Sequence, residues 1–319
     1  GKLSLMSVPQ RFFNGINSFP LMAVPFFILG ADLMTAGGIT SYILRFANSL
    51  VGHVRGGLGH VYVLTSMVFA GISGAALADA AGPGAVLMRM MQRAGYDPYY
   101  SAAFSGATAT LGPIIPPSII AIIYAMCDSR VTVAGLFMAG VVPGILLGGA
   151  LAVTNHIISV RHGYKYTSKK TSWTGRLRNF WKALPALIMP VIIFGGIFAG
   201  IFTATEAASV ATVYAFLVSF FWYKEINRRD LYRILVDTAV MTGVVSLLVG
   251  AATGFSWILA THQVPRMIGD FITAIGGGKT IFLLMTIAVF LFFGMILDGL
   301  PAILIFFPIM YPIAQLVGL

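Results

Sequence analysis

The stretch Gly112-Pro113-Ile114-Ile115-Pro116-Pro117-Ser118 decides how this chain can fold. It interrupts apolar sequence that runs from residue 100 to residue 126. Proline lacks a backbone N–H donor and its ring clashes with the preceding turn, so a helix cannot continue through three prolines in five residues. Inside hydrocarbon, such a break is tolerated only where protein buries it or where it lines a cavity. The carbonyl and amide groups freed there can hold an ion or an anionic solute, so we expect a binding site at residues 112–118.

The composition indicates a membrane protein. The chain of 319 residues is 58% hydrophobic and 9% charged, with a mean hydropathy of +0.90. A soluble domain would carry about 25% charged residues. The apolar runs are continuous and approach the ~20 residues of a helical span, whereas strands of a membrane β-barrel alternate apolar and polar residues. We therefore expect an all-α polytopic membrane protein.

The net charge of +10 could suggest a nucleic-acid partner, but the positions of the cations argue against one. Most of them lie in two loops, and the positive-inside rule places both loops on the cytoplasmic side. The cations of the two loops are Arg161, Lys165, Lys169, Lys170, Arg176, Arg178 and Lys182 in the first, and Lys224, Arg228, Arg229 and Arg233 in the second.

The first half of the chain reads as one repeat, residues 1–160, incomplete at its N-terminus. Within it, two apolar arms meet at Ser73-Gly74 and form a helical hairpin over residues 57–93. Each arm is short for a bilayer, which favours a re-entrant hairpin, although one full span broken into two fits the same residues. The broken helix covers residues 100–126, and a basic cytoplasmic loop follows at 161–182.

The second half, residues 183–319, repeats this plan and is incomplete at its C-terminus. Its hairpin lies around residues 278–316, and its turn at 294–301 corresponds to the turn at 71–76. The counterpart of the break at Gly112 would fall beyond Leu319. Repeats with an odd number of spans are inverted in the membrane, an arrangement typical of ion-coupled secondary transporters.

Oxygen atoms are the chemistry that these breaks offer. Ser73 supplies a hydroxyl at the hairpin tip, and residues 112–117 supply carbonyls freed by the prolines. Such oxygens suit a hard monovalent cation such as Na⁺. The alternative is that the Ser73 hydroxyl bonds only to neighbouring backbone in a tight turn.

Two acids lie where membrane proteins rarely place them, Asp79 inside a hairpin arm and Asp298 at the second turn. Acids within membrane segments are costly, so we consider both, with Ser118, as candidates for a substrate cavity. The alternative is that each acid caps its hairpin through backbone N–H groups. Glu206, three residues after Thr203, instead predicts a capping box.

The sequence supports an enzymatic function less well than a transport function. Residues 71–74 read GISG, a form found at the nucleophile of rhomboid-type intramembrane proteases, so a serine hydrolase at Ser73 is a remote alternative. That chemistry needs a histidine base, and neither His156 nor His262 is placed beside Ser73 by its surroundings. Cys127 is the only cysteine and the histidines lack metal-motif spacing, so we expect no disulfide, no cofactor and no metal beyond Na⁺.

At five segments the sequence resembles the large membrane subunit of TRAP (tripartite ATP-independent periplasmic) transporters. Each motif is short, but together and in this order they are specific, and the resemblance covers essentially the whole chain. The segments are SFPLMAVPFFIL at 18–29, GISGAALAD at 71–79, GPIIPPS at 112–118, GIFTATEAA at 200–208 and LDGLP at 297–301.

The resemblance implies Na⁺-driven uptake of organic acids, such as C4-dicarboxylates or sialic acid, across the bacterial inner membrane by an elevator-type motion. It implies two partners, a periplasmic binding protein that delivers the substrate and a small four-helix membrane subunit. It also implies that the chain is a piece of a longer protein, truncated at both ends. A Na⁺/dicarboxylate symporter that needs no binding protein is the nearest alternative, and a non-transporting scaffold subunit is another.

Carried over residue by residue, the resemblance implies a first Na⁺ site formed by Ser73 and the backbone carbonyls of Gly112, Ile115 and Pro117. A second, partial site would use backbone near Gly294. Some relatives carry a further serine near positions 75–76, where this chain has two alanines.

Overall fold

The computed structural model describes residues 6–128, 130–165, 170–274 and 278–319. Within these ranges, only the backbone is described at residues 271–274. Residues 166–169 of the predicted basic loop, Lys169 among them, lie outside the described residues.

Every regular element in the described ranges is helical, which confirms the all-α prediction. The α-helices in chain order are α1 (Ser7–Ile16), α2 (Ala23–Ala36), α3 (Ile39–Val51), α4 (Gly57–Ser73), α5 (Ala76–Asp79), α6 (Ala85–Arg93), α7 (Pro98–Ala109), α8 (Ile119–Cys127), α9 (Val133–Arg161), α10 (Trp173–Phe198), α11 (Ala204–Leu217), α12 (Arg228–Thr261), α13 (Val264–Ala274), α14 (Lys279–Gly294) and α15 (Gly299–Leu316). A short 3₁₀ turn precedes α2, and π-helical turns follow α5 and α11.

Among the described residues, five helices are long and apolar enough to cross a membrane, and a sixth span arises if the bent pair α1 and α2 counts as one. Many large apolar side chains on these helices are exposed, as lipid-facing residues are. The polytopic class is thereby confirmed, while the inverted repeats and the re-entrant hairpins remain predictions. The five helices are α9, α10, α11 with its π turn, α12 and α15.

The larger of two compact units comprises Met22–Ile122 and Val131–Ala239. Helix α2 packs along α11, and hydroxyls tie the two together: Thr212 Oγ1 donates to the Phe26 carbonyl at 2.6 Å, and Ser219 Oγ to the Leu33 carbonyl at 2.9 Å. Helix α3 packs between α10 and α4.

The other unit comprises Gly1–Leu21, Ile123–Arg130 and Val240–Leu319. Its second hairpin is α14 and α15, with a small core where Phe282 and Ile313 are buried.

The capping box predicted at Thr203 is present at the start of α11. Glu206 Oε2 accepts from the Thr203 backbone N–H at 2.8 Å, and Thr203 Oγ1 accepts from the Glu206 N–H at 3.3 Å. Glu206 therefore stabilises a helix end, as expected from its spacing.

Candidate ion-binding site

The first break in the backbone follows Ser73, the last residue of α4. Gly74 adopts a left-handed conformation with φ of 65°, and its N–H donates to the Ala70 carbonyl at 3.2 Å. A side chain is disfavoured there, which explains the glycine. Ala75 is extended, and α5 begins at Ala76, so the chain reverses within two residues.

The second arm of this hairpin is less regular than the first. Helix α5 ends at Asp79, a π turn over Ala80–Gly84 follows, and α6 completes the arm. Pro83 lies within the π turn and cannot donate a backbone hydrogen bond, which favours a wider turn.

The second break separates α7 from α8 and contains the proline-rich stretch. Helix α7 ends at Ala109 and α8 begins at Ile119. Ser118 Oγ donates to the Pro113 carbonyl at 2.6 Å and accepts from the Ala121 N–H at 3.1 Å. Ser118 therefore closes the break and caps α8, and its role in a substrate cavity remains a prediction.

The two breaks touch each other. The Ile119 N–H donates to the Gly74 carbonyl at 3.3 Å, and a Cβ at Gly74 would overlap the Pro117 carbonyl oxygen. A Cβ at Gly112 would lie 2.9 Å from the Ala75 carbonyl atoms. Both glycines thus permit backbone-to-backbone approach, and the predicted site residues Ser73, Gly112 and Pro117 lie on the segments that meet.

Several oxygens at this junction have no protein partner. Ser73 is 1% exposed, and within the described residues its Oγ makes no hydrogen bond. In the same described ranges, no hydrogen bond ends on the carbonyl oxygens of Gly112, Ile115 or Pro117. Leaving a buried polar group unsatisfied costs about 1–3 kcal/mol, so such a cluster is typical of a ligand site. The alternative in which the Ser73 hydroxyl bonds to its own turn is not observed.

Neither candidate acid caps its hairpin. Asp79 is fully buried, and both carboxylate oxygens lack a hydrogen-bond partner in the described part of the chain. Ser66 lies close to it, but outside hydrogen-bond geometry. Asp298 is exposed at the N-cap position of α15, and its side chain accepts no capping bond. A substrate-cavity role for both acids remains a prediction.

The partial second site lies in the smaller unit. Gly294 is the last residue of α14, and the Leu297 N–H donates to the Phe293 carbonyl at 2.7 Å. Met295 and Ile296 at this turn are 87% and 72% exposed. Sodium binding at Gly294 remains a prediction.

The family model described as "Tripartite ATP-independent periplasmic transporter, DctM component" matches residues 2–319. This chain belongs to the DctM family. It is therefore a large membrane component of a TRAP transporter, a multi-pass protein of the bacterial inner membrane.

Three relatives of this DctM-family chain are named as permeases. The sialic acid TRAP transporter large permease protein SiaM of Vibrio cholerae is 39% identical over 310 residues, which cover 97% of this chain and 72% of that protein. The C4-dicarboxylate TRAP transporter large permease protein DctM of Rhodobacter capsulatus is 35% identical over 326 residues, covering 98% and 74%. The sialic acid TRAP transporter permease protein SiaT of Haemophilus influenzae is 39% identical over 309 residues, covering 96% and 49%.

Membership in this family argues against the hydrolase alternative, since its named relatives are transporter permeases. The geometry argues the same way. Within the described ranges the Ser73 hydroxyl has no hydrogen-bond partner, so no histidine is positioned to accept its proton.

One group of site residues in this DctM-family chain was missed by sequence reasoning. Helix α9 carries Gly140, Gly144 and Gly148 at spacings of four. A Cβ at Gly144 would lie 2.5 Å from Ile115 Cγ1, and one at Gly140 would overlap the Ile114 carbonyl oxygen. Gly140 and Gly144 let the proline-rich break lie directly on α9, and Gly148 faces Met67 of α4. Their spacing, a known signal of close helix packing in membranes, could have identified them.

Proposed function

We propose that this chain is the Na⁺-coupled subunit through which an organic acid enters the cell. The observation that carries the proposal is the set of unsatisfied oxygens at the junction of the two breaks, namely Ser73 Oγ and the carbonyls of Gly112, Ile115 and Pro117. These ligands are neutral dipoles of the kind that a hard cation prefers.

A bound ion changes the charge of the junction by +1, because the ligands themselves are neutral. Nearby hairpin ends then attract a carboxylate more strongly, aided by the positive ends of the half-helices. Linkage is reciprocal, so substrate binding must raise Na⁺ affinity by the same factor. The partial site at Gly294 would act in the same way at the second hairpin.

The substrate is an organic anion. Relatives are named for sialic acid, C4-dicarboxylate, 2,3-diketo-L-gulonate and isethionate, which share an acidic group. The tripartite family name supports two partners, a small four-helix membrane subunit and a periplasmic binding protein. The hairpin and broken helix would move as an elevator against the packed helices α2, α10 and α11.

The test is uptake into proteoliposomes that contain the full-length protein with both partners. Loaded binding protein is added outside, with equal inward gradients of Na⁺ or K⁺, and the initial rate is measured. Uptake that requires Na⁺ and binding protein supports the proposal. Equal rates in Na⁺ and K⁺ would refute coupling, and uptake of free substrate without binding protein would favour the simpler symporter.

A further inference from the structure

A cavity of about 420 Å³ lies in the larger unit, away from the two breaks. It is open on one side and is lined by α3, the end of α2, α4 and the second arm of the first hairpin. Its volume falls in the range of about 300–1,000 Å³ that is usual for small-molecule sites. Its lining includes Thr40, Leu44, Arg45, Asn48, Val61 and Val86.

Among the described residues, three polar side chains of this cavity have no partner, although the Thr35 hydroxyl bonds to the Ala31 carbonyl at 2.8 Å. In the ranges that the structure describes, Arg45 takes part in no ion pair and no side-chain hydrogen bond. Thr40 is 9% exposed and its Oγ1 has no partner there, nor does the buried Oδ1 of Asn48. Arg45 and Asn48, three residues apart, share one face of α3. The cavity therefore offers a cation, a hydroxyl and an amide acceptor beside apolar walls.

One acid lies at the margin. The Glu225 carboxylate contacts Gly38 at the start of α3. Gly38 lies seven residues before Arg45, about 10 Å along a helix axis. In the described part of the chain, Glu225 forms no ion pair with Arg45.

Helix α3 lies at the level of the basic loops. Tyr42 stacks on Tyr223 with ring centroids 4.4 Å apart, and Phe46 lies 5.7 Å from Phe180. Tyr223 directly precedes Lys224, and Phe180 lies in the first half of α10 between Arg178 and Lys182. The positive-inside rule puts these loops at the cytoplasmic face, where lipid headgroups carry negative charge.

The geometry points to an anionic phospholipid of the inner leaflet, of the phosphatidylglycerol type, as the occupant of this cavity. Its phosphate accepts paired N–H bonds from Arg45. Its glycerol hydroxyls donate to Asn48 Oδ1 and exchange a hydrogen bond with Thr40. The upper part of an acyl chain lies along Leu44 and Val61. Arg89 and Arg93, three residues beyond Val86 and Met90 on α6, extend the same basic face.

Such a lipid contacts both α3 and the hairpin arm. Movement of the hairpin relative to α3 would change the shape of the cavity, so the bound lipid favours the conformation in which the cavity is open. The lipid composition of the membrane therefore affects the transport cycle through this cavity, which lies away from the ion site.

The test is native mass spectrometry of the full-length protein with its small subunit, titrated with phosphatidylglycerol in detergent. Arg45→Gln should weaken binding of the first lipid about tenfold, as expected for loss of a charge-assisted hydrogen bond. The matched control is Arg229→Gln, which removes an equal charge from the second basic loop. A second variant, Val86→Trp, fills the cavity from its exposed edge and should also reduce binding.

Equal lipid binding by Arg45→Gln, Val86→Trp and the control would overturn the assignment. A parallel thermal-shift series separates the sources of phosphate. Vesicles containing phosphatidylglycerol should stabilise the wild-type protein more than phosphatidylcholine vesicles do. If inorganic phosphate stabilises it as much as phosphatidylglycerol, the site binds a free anion and the lipid proposal is wrong.

Discussion

The backbone N–H of Ile119 donates to the carbonyl of Gly74 at 3.3 Å, joining residues that lie 45 positions apart. This bond links the first residue of α8 to the residue that follows α4. Backbone atoms of the proline-rich break and of the hairpin tip are thus in direct contact. Among the described residues, the Ser73 hydroxyl at this junction is left without a protein partner, so it is available to a ligand.

Replacing Ser73 by alanine should weaken Na⁺ dependence. The change removes one of the neutral oxygen ligands of the proposed site. If this ligand contributes as much free energy as a typical hydrogen bond, its loss lowers the Na⁺ affinity about tenfold. The measurement is initial uptake against Na⁺ concentration. Ser101→Ala is the control, since Ser101 is equally buried but its hydroxyl bonds to the Asp97 carbonyl. If both variants titrate like the wild type, Ser73 is not a ligand.

Ala75→Ser should strengthen Na⁺ binding. Ala75 lies in backbone contact with Gly112, so a hydroxyl at this position adds an oxygen beside the proposed ion. The half-saturating Na⁺ concentration for uptake should fall. Ala78→Ser, within α5, serves as the control for adding a hydroxyl to the hairpin. An unchanged or higher half-saturating concentration would argue that position 75 does not face the ion.

Gly74→Ala should destabilise the protein by more than the cost of placing an alanine in a left-handed conformation. Adopting that conformation costs an alanine about 1–2 kcal/mol, and at Gly74 its Cβ would also overlap the Pro117 carbonyl. Gly95→Ala isolates the first effect, because Gly95 has a φ of 85° with open space around it. Thermal unfolding of the complex should show the larger loss for Gly74. Equal losses in the two variants would show that the junction relaxes without cost.

Gly144→Ala should loosen the contact between α9 and the proline-rich break. The added methyl would lie 2.5 Å from Ile115 Cγ1, and overpacking of this kind costs about 1–3 kcal/mol. Gly149→Ala on the same helix meets nothing within 4 Å and should be neutral or slightly stabilising. Both are measured by thermal unfolding and Na⁺ titration. A Gly144→Ala protein as stable as Gly149→Ala would contradict the close packing described here.

The sequence by itself determined the features that depend on local chemistry. Prolines remove donors wherever they stand, so the interruption at residues 112–118 and the helical membrane class could be read directly. The capping box of Thr203 and Glu206 was equally local, since both partners lie within one turn.

Only the tertiary structure decided which distant groups meet. Packing between separate helices places Gly74 against Pro117 and Gly144 of α9 against Ile115. The same packing buries Asp79, whose side chain caps no helix. No local pattern encodes those approaches, because each is set by the fit of whole helix surfaces. The unpaired Arg45 in its cavity belongs to the same class, since its lack of a partner follows from what the neighbouring helices place around it.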